Sequence, residues 1–127
     1  MNVRQSVVVR RDLQMSPGLL AAQVAHLSAY WIMLSTDLED GFISDFTDGK
    51  KQWFKGPVLS VLAVEIPEEL DVLISKAKEV GVEYKVWTDT IPSKTFDGQF
   101  LEVRVGVAFG PADDEKLKQV TGTLPLY

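Results

Sequence analysis

The sequence predicts an α/β fold, namely a three-layer α/β/α sandwich whose four-stranded mixed sheet is mostly parallel and has one antiparallel edge strand. Residues 6–10 and 57–64 are short apolar runs rich in β-branched residues, which suits interior strands. A helix-forming segment follows each run, and strands that alternate with helices are typical of parallel pairing. Two further strand-like runs are separated only by a turn, which predicts one antiparallel pair.

Length and composition limit the classes of protein to which the chain can belong. It has 127 residues, of which 46% are hydrophobic, so we expect one folded domain over residues 1–127. It contains no cysteine and one histidine, which excludes disulfides, thiolate nucleophiles and metal centres with several histidine ligands. No apolar run is long enough to span a membrane and the first residues do not resemble a signal peptide, so a cytoplasmic location is expected. The net charge of −5 argues against general nucleic-acid binding, while a local basic patch stays open.

The first helix is predicted to start at Ser16 and to end near residue 34. The Ser16 hydroxyl is placed to cap the helix, and Pro17 suits the first helical position because its missing N–H costs nothing there. Gln23 and His26 are strongly polar and lie three residues apart, so they share one side of the helix. The apolar stripe expected at helical spacing is Leu20, Val24, Leu27, Trp31 and Leu34.

Residues 37–56 form an acidic segment that contains several aromatic residues. We interpret it as an excursion over one face of the domain that its aromatic side chains anchor. The alternative is a mobile lid.

The second half of the chain predicts two strands between two helices. A helix begins at Pro67 and ends at Gly81, because glycine favours the left-handed conformation that closes a helix. Residues 82–87 alternate as a third strand, and a turn from Asp89 to residue 98 leads into a fourth strand over residues 100–109. A last helix is expected over residues 111–120.

An ordered set of motifs runs through nearly the whole chain. They are residues 7–15, Gly18, residues 21–26, Gln52-Trp53, Gly56-Pro57, the helix of residues 68–81, Asp89, residues 110–112, residues 120–122 and Leu126-Tyr127. This set resembles the archaeal and eukaryotic, type 2 family of peptidyl-tRNA hydrolases (Pth2). The resemblance implies a homodimeric α/β hydrolase that cleaves the ester between peptide and tRNA without a metal or another cofactor.

The resemblance also shows where this chain departs from the family pattern. The family site combines a lysine after the glycine at the helix start, an aspartate after the third strand and a threonine shortly downstream. Leu19 occupies the lysine position and Asp89 is retained, whereas Thr90 and Thr95 are hydroxyls outside the register of the motif threonine. Leu19 can neither stabilise developing negative charge nor bind a phosphate.

The candidate catalytic residues are Asp89 as the base, His26 as a proton shuttle and Lys94 as a source of positive charge. The candidate ligand-binding residues are Arg10, Arg11, Asp12, Gln23, Thr90 and Thr95. Several have a purely structural alternative.

In that alternative, Asp89 caps a turn and His26 is a hydrogen-bonded core residue. Gln23 bridges backbone groups near the end of the first strand. The two arginines, Arg10 and Arg11, pair with Asp12 or Asp89.

Two classes of function remain open. The first is a divergent hydrolase of peptidyl-tRNA or of a related acyl ester, whose partner is the tRNA acceptor end or a small acyl-ester ligand. The second is a non-catalytic binding or interaction module that keeps the fold with a degenerate site. A basic cleft around Leu19 and Asp89 would favour an RNA ligand, and an acidic or apolar cleft another small ligand or a protein partner.

Overall fold

The computed structural model describes residues 2–37, 42–43, 52–53, 55–92 and 99–127. The elements are, in chain order, strand β1 (Val3–Arg10), a 3-10 turn (Arg11–Leu13), helix α1 (Pro17–Ser35), the two-residue strands β2 (Thr36–Asp37) and β3 (Phe42–Ile43), strand β4 (Leu59–Val64), helix α2 (Glu68–Val80), strands β5 (Tyr84–Pro92) and β6 (Phe100–Asp113), and helix α3 (Asp114–Thr121).

The main sheet has four strands in the order β4-β1-β6-β5. The predicted mixed sheet is confirmed, as is the antiparallel pairing of β5 with β6. The predicted position of the antiparallel strand is wrong, because β6 lies inside the sheet between β5 and β1, and only the β1–β4 pair is parallel. The reason is burial: residues 105–111 of β6 are buried on both faces, which only an interior strand allows.

Two separate cores confirm the three layers. Val8 and Val107 point to the face that α2 and α3 cover, and Val7 and Val9 point to the face that α1 covers. The two central strands approach closely at Gly106, where an added Cβ would lie less than 3.0 Å from the carbonyl oxygen of Val8. Glycine at this position therefore lets β6 and β1 pair beneath α1.

Helix α1 begins as predicted but is rotated relative to the predicted stripe. The Ser16 hydroxyl accepts a long hydrogen bond of 3.4 Å from the backbone N–H of Leu19, which fits its capping role. Leu27 is fully buried, whereas Leu20 and Val24 are only half-buried. Gln23 is 2% exposed, so this polar side chain occupies part of the interface with the sheet.

Two predicted boundaries are wrong. Strand β5 continues to Pro92, so Asp89 lies within the strand opposite Val103 and does not begin a turn. Strand β6 continues to Asp113, so the last helix begins three residues later than expected. In both places pairing with a neighbouring strand overrides the local preference for a turn or a helix, and it buries Ile91 to 3% exposure.

Most of the acidic segment of residues 37–56 lies outside the described residues. Both interpretations of this segment, an excursion and a mobile lid, concern that undescribed part. Trp53 near its end is buried and donates a hydrogen bond of 2.9 Å to the carbonyl oxygen of Val58. An aromatic anchor is therefore present at that end. Among the described residues, no helix is both long and apolar enough to cross a membrane.

Candidate active site

Helix α1 and strand β5 bring Gln23 and Asp89 together. The Nε2 amide of Gln23 donates a hydrogen bond of 2.9 Å to Oδ2 of Asp89, across 66 positions of sequence. Gln23 is buried and Asp89 is half-buried, so the carboxylate lies at the boundary between core and solvent. The structure thus joins one predicted catalytic residue to one predicted ligand-binding residue. The expected bonds from Gln23 to backbone groups near the end of β1 are not found among the described contacts.

Trp87 completes this arrangement from the same strand as Asp89. Its indole Nε1–H donates a hydrogen bond of 2.6 Å to Oε1 of Gln23. Trp87 lies two residues before Asp89, and side chains two apart on a strand point to the same face. Trp87 and Asp89 therefore both contact Gln23 on the face of the sheet that α1 covers.

His26 lies next to this group but not in the core. Its ring stacks on the ring of Trp87, with 4.8 Å between the centroids and 23° between the planes. The imidazole is exposed to solvent, so the interpretation of His26 as a core residue is wrong. The structure therefore places His26 beside Trp87, on the solvent side of the group formed by Trp87, Gln23 and Asp89.

Both carboxylate oxygens of Asp89 accept an N–H donor. Oδ2 accepts from Gln23, and Oδ1 accepts from the backbone N–H of Thr90 at 2.8 Å. Thr90 is exposed, and its position next to Asp89 on the strand puts its hydroxyl on the opposite face. Each oxygen keeps a second lone pair, which a water molecule or a substrate hydroxyl can use.

The two arginines at the end of β1 are both paired with carboxylates. Arg10 binds both oxygens of Asp12, at 3.1 and 2.7 Å, and also donates to the carbonyl oxygen of Arg104 at 3.3 Å. Pairing of Arg10 with Asp12 is therefore confirmed.

Arg11 pairs with Glu65, a partner that the sequence did not indicate, and lies 5.9 Å from the centroid of the Tyr127 ring. The hydrogen bond that Arg11 donates to Glu65 raises the pKa of Arg11, so this guanidinium stays charged at any physiological pH. Because the charges of both Arg10 and Arg11 are matched by carboxylates, these two residues do not form a free basic patch.

Leu19 lies one helical turn before Gln23, on the same side of α1. It is half-buried and packs against the core on the α1 face. A lysine at this position would extend from the same side of α1 as Gln23, the residue that donates to Asp89. Two other predicted site residues, Lys94 and Thr95, lie outside the described residues.

An apolar groove of about 740 Å³ runs along another side of α1, towards β4. Its lining is Pro17, Leu20, Ala21, Val24, Ala25, Ser28, Ala29, Trp53, Leu59, Val61 and Tyr127. None of the residues that contact Asp89 lines it. Across the described residues, no cluster of three or more histidine, aspartate or glutamate side chains is arranged to hold a metal ion.

The sequence interpretation missed the role of Trp87. Strand alternation offered the one available signal, since it places Trp87 and Asp89 on the same face once β5 is known to continue to Pro92.

Comparison with known proteins identifies the family. The family model described as "Peptidyl-tRNA hydrolase PTH2" matches residues 3–127 of this chain. The chain belongs to the PTH2 family.

Three archaeal relatives of this PTH2-family chain, each named peptidyl-tRNA hydrolase, illustrate its similarity. The protein of Haloquadratum walsbyi is 33% identical over 98% of this chain and 100% of its own length. The protein of Nanoarchaeum equitans is 32% identical over 97% of this chain and 98% of its own. The protein of Aeropyrum pernix is 34% identical over 98% of this chain and 95% of its own. The similarity therefore extends over the whole domain.

Proposed function

We propose that this PTH2-family chain hydrolyses the ester bond of peptidyl-tRNA, or of a related acyl ester, with Asp89 as the general base. The observation that carries the proposal is the half-buried Asp89 carboxylate, which Gln23 and the Thr90 backbone hold in one orientation. The whole-chain match to relatives named peptidyl-tRNA hydrolase supports the substrate class.

In the proposed reaction, Asp89 accepts a proton from a water molecule as the water oxygen attacks the acyl carbon. The tetrahedral intermediate then collapses, the bond between the acyl carbon and the ester oxygen breaks, and the departing tRNA oxygen takes up the proton that Asp89 had accepted, which restores the carboxylate and gives a free tRNA hydroxyl. His26, exposed beside Trp87, is proposed to move that proton, because an imidazole has one nitrogen that can accept a proton and one that can donate it. Lys94 is proposed to stabilise the developing negative charge.

The rest of the proposal concerns the partners and surroundings of the protein. We propose that the tRNA acceptor end is the macromolecular partner, that the protein is a cytoplasmic homodimer and that the reaction uses no metal. Arg10 and Arg11 each have a carboxylate partner, so a phosphate would compete with Asp12 or Glu65 for the same guanidinium group.

A second candidate function has its own supporting observation. Leu19 replaces the family lysine, and removal of one stabiliser of negative charge typically costs about 10²–10³-fold in rate. The pairing of both arginines reduces the positive charge further. A non-catalytic binding or interaction module with the PTH2 fold is the function that these features favour.

The deciding experiment is turnover of an N-blocked aminoacyl-tRNA and, in parallel, of a small N-blocked aminoacyl ester that contains no RNA. We expect release of free tRNA by the wild-type chain and its loss in Asp89→Asn, which keeps the shape of the side chain. Glu115→Gln is the matched control, because it neutralises an exposed carboxylate on α3 and should leave turnover unchanged.

Turnover of the small ester alone would mean that the substrate is another acyl ester and not peptidyl-tRNA. No turnover of either substrate at high enzyme concentration would overturn the hydrolase proposal in favour of the binding module. Equal turnover by wild type and Asp89→Asn would remove Asp89 from the mechanism.

A further inference from the structure

The hydrogen bonds around Gln23 have a fixed direction. An indole N–H is a donor only, so the atom of Gln23 that faces Trp87 must be the oxygen. The NH₂ group of Gln23 must then face Asp89, where it donates to Oδ2 at 2.9 Å. Trp87, as a donor, and the Asp89 carboxylate, as an acceptor, therefore require the same orientation of the Gln23 amide.

We propose that Trp87 is a positioning residue that orients the Asp89 carboxylate through Gln23. This inference rests on the proposed function for the role of Asp89 in catalysis. Trp87 touches Gln23 at 2.6 Å and is not itself assigned a contact with substrate. Its effect on the reaction passes through one buried amide.

Burial makes the effect of Trp87 on Gln23 strong. Gln23 is 2% exposed, so solvent has little access to replace a lost hydrogen-bond partner. Without the indole N–H, the buried Oε1 of Gln23 loses its donor, and the amide can shift towards another donor. Such a shift draws the NH₂ group of Gln23 away from Oδ2 of Asp89 and frees the carboxylate from its position.

The second bond to Asp89 does not make Gln23 redundant. The Thr90 N–H holds Oδ1 from the neighbouring residue of the same strand, whereas Gln23 holds Oδ2 from α1. Without the Gln23 bond, only Oδ1 of Asp89 remains hydrogen-bonded. The carboxylate can then rotate, which displaces Oδ2. A general base must lie within hydrogen-bond reach of its water, so such a rotation lowers the rate of the chemical step.

Steady-state kinetics on three variants tests the catalytic part of the proposal. Trp87→Phe keeps an aromatic ring against His26 and removes the indole N–H, and Gln23→Leu removes the amide. We expect each to lower kcat about 10-fold with KM within about twofold of wild type, since only the base is disturbed. The Trp87→Phe/Gln23→Leu double variant should be no slower than Gln23→Leu alone, because both changes break the same connection.

Trp53→Phe is the matched control. It also removes the indole hydrogen bond of a buried tryptophan, here to the carbonyl oxygen of Val58, but away from Asp89. A loss of kcat in Trp53→Phe equal to that in Trp87→Phe would overturn the proposal, because general loosening of the fold would then explain both. A double variant about 100-fold slower than wild type would also overturn it, since independent effects multiply.

NMR tests the orientation without relying on activity. In the wild type, the side-chain NH₂ protons of Gln23 should exchange slowly with solvent and show two fixed resonances. In Trp87→Phe they should exchange faster and the Asp89 carboxyl ¹³C resonance should shift, whereas Trp53→Phe should change neither. Unchanged Gln23 and Asp89 signals in Trp87→Phe would overturn the inference, whereas absence of turnover in the wild type would overturn only the proposed function.

Discussion

Replacement of Gly106 by alanine tests the packing of the central strands. Gly106 on β6 faces Val9 on one side and Trp87 on the other, under Leu27 of α1. A Cβ at this position would lie less than 3.0 Å from the carbonyl oxygen of Val8 and 3.2 Å from Cδ1 of Leu27. Leucine can adjust its rotamer, but the Val8 oxygen belongs to the backbone of an interior strand.

The expected cost of Gly106→Ala follows from that difference. Inserting a methyl group into a packed core typically costs about 1–3 kcal/mol. Because the nearest neighbour is backbone that is paired on both sides, we expect about 3 kcal/mol of lost unfolding free energy. For a domain of this size each kcal/mol corresponds to roughly 3–5 °C, so Tm should fall by about 10 °C.

Thermal unfolding followed by circular dichroism measures this effect. Gly18→Ala is the matched control, because nothing lies within 4 Å of an added Cβ there and alanine favours the helix. Gly18→Ala should leave Tm unchanged or raise it slightly. A Gly106→Ala variant as stable as Gly18→Ala would refute the reasoning, since it would mean that β1 and β6 can separate at little cost.

Three further predictions concern the site, one ion pair and one helix end. Leu19→Lys introduces, on the Gln23 side of α1, the lysine that the family resemblance implies at this position, and it should raise kcat/KM for an N-blocked aminoacyl-tRNA by at least about 10-fold. No gain in that assay would show that the present site does not lack this charge. The hydrogen bond that Arg104 donates lowers the pKa of Asp71 below its ordinary value of 3.8, so the stability that this pair contributes is present above that pH and is lost as the pH falls through the lower, folded-state pKa. The Tm difference between wild type and Asp71→Asn should therefore shrink below pH 3.8, and a constant difference down to strong acid would contradict this assignment. Gly81 ends α2 at φ 78°, in the left-handed region. Gly81→Ala should therefore lower the free energy of unfolding, measured by chemical denaturation, by about 1 kcal/mol, and Gly81→Asn should lower it less because asparagine tolerates that region. Equal losses in the two variants would argue against a conformational origin.

Opposite charges compensate each other at the end of β1, and this bears on the choice between the two proposed functions. Arg10 and Arg11 were candidates for contact with a ligand, but each is held by a carboxylate. If the chain binds tRNA, Arg10 and Arg11 should add little to the salt dependence of its affinity, because each already has a carboxylate partner. A binding titration at several salt concentrations, on the wild type and on Arg10→Gln/Arg11→Gln, measures their contribution, and a clearly shallower slope in the variant would mean that the pairs open on binding.

The sequence alone determined the ends of two helices and one strand pairing. The start of α1 at Ser16-Pro17 and the end of α2 at Gly81 depend on hydrogen bonds and backbone angles within a few residues, so they were predictable. The same holds for the antiparallel β5–β6 pair, which a short connection enforces. The motifs were also sufficient to indicate the family that the whole-chain comparison established.

Only the tertiary structure decided which strand lies inside the sheet and which side chains meet. A hairpin leaves open which of its two strands pairs with β1, and burial of β6 on both faces settled that choice. The contacts of Gln23 with Asp89 and Trp87 span 66 and 64 positions, and the Arg11–Glu65 pair spans 54. Contacts at such separations depend on how α1 is rotated over the sheet and on the length of β5. Both result from packing the whole domain rather than from any local pattern of residues.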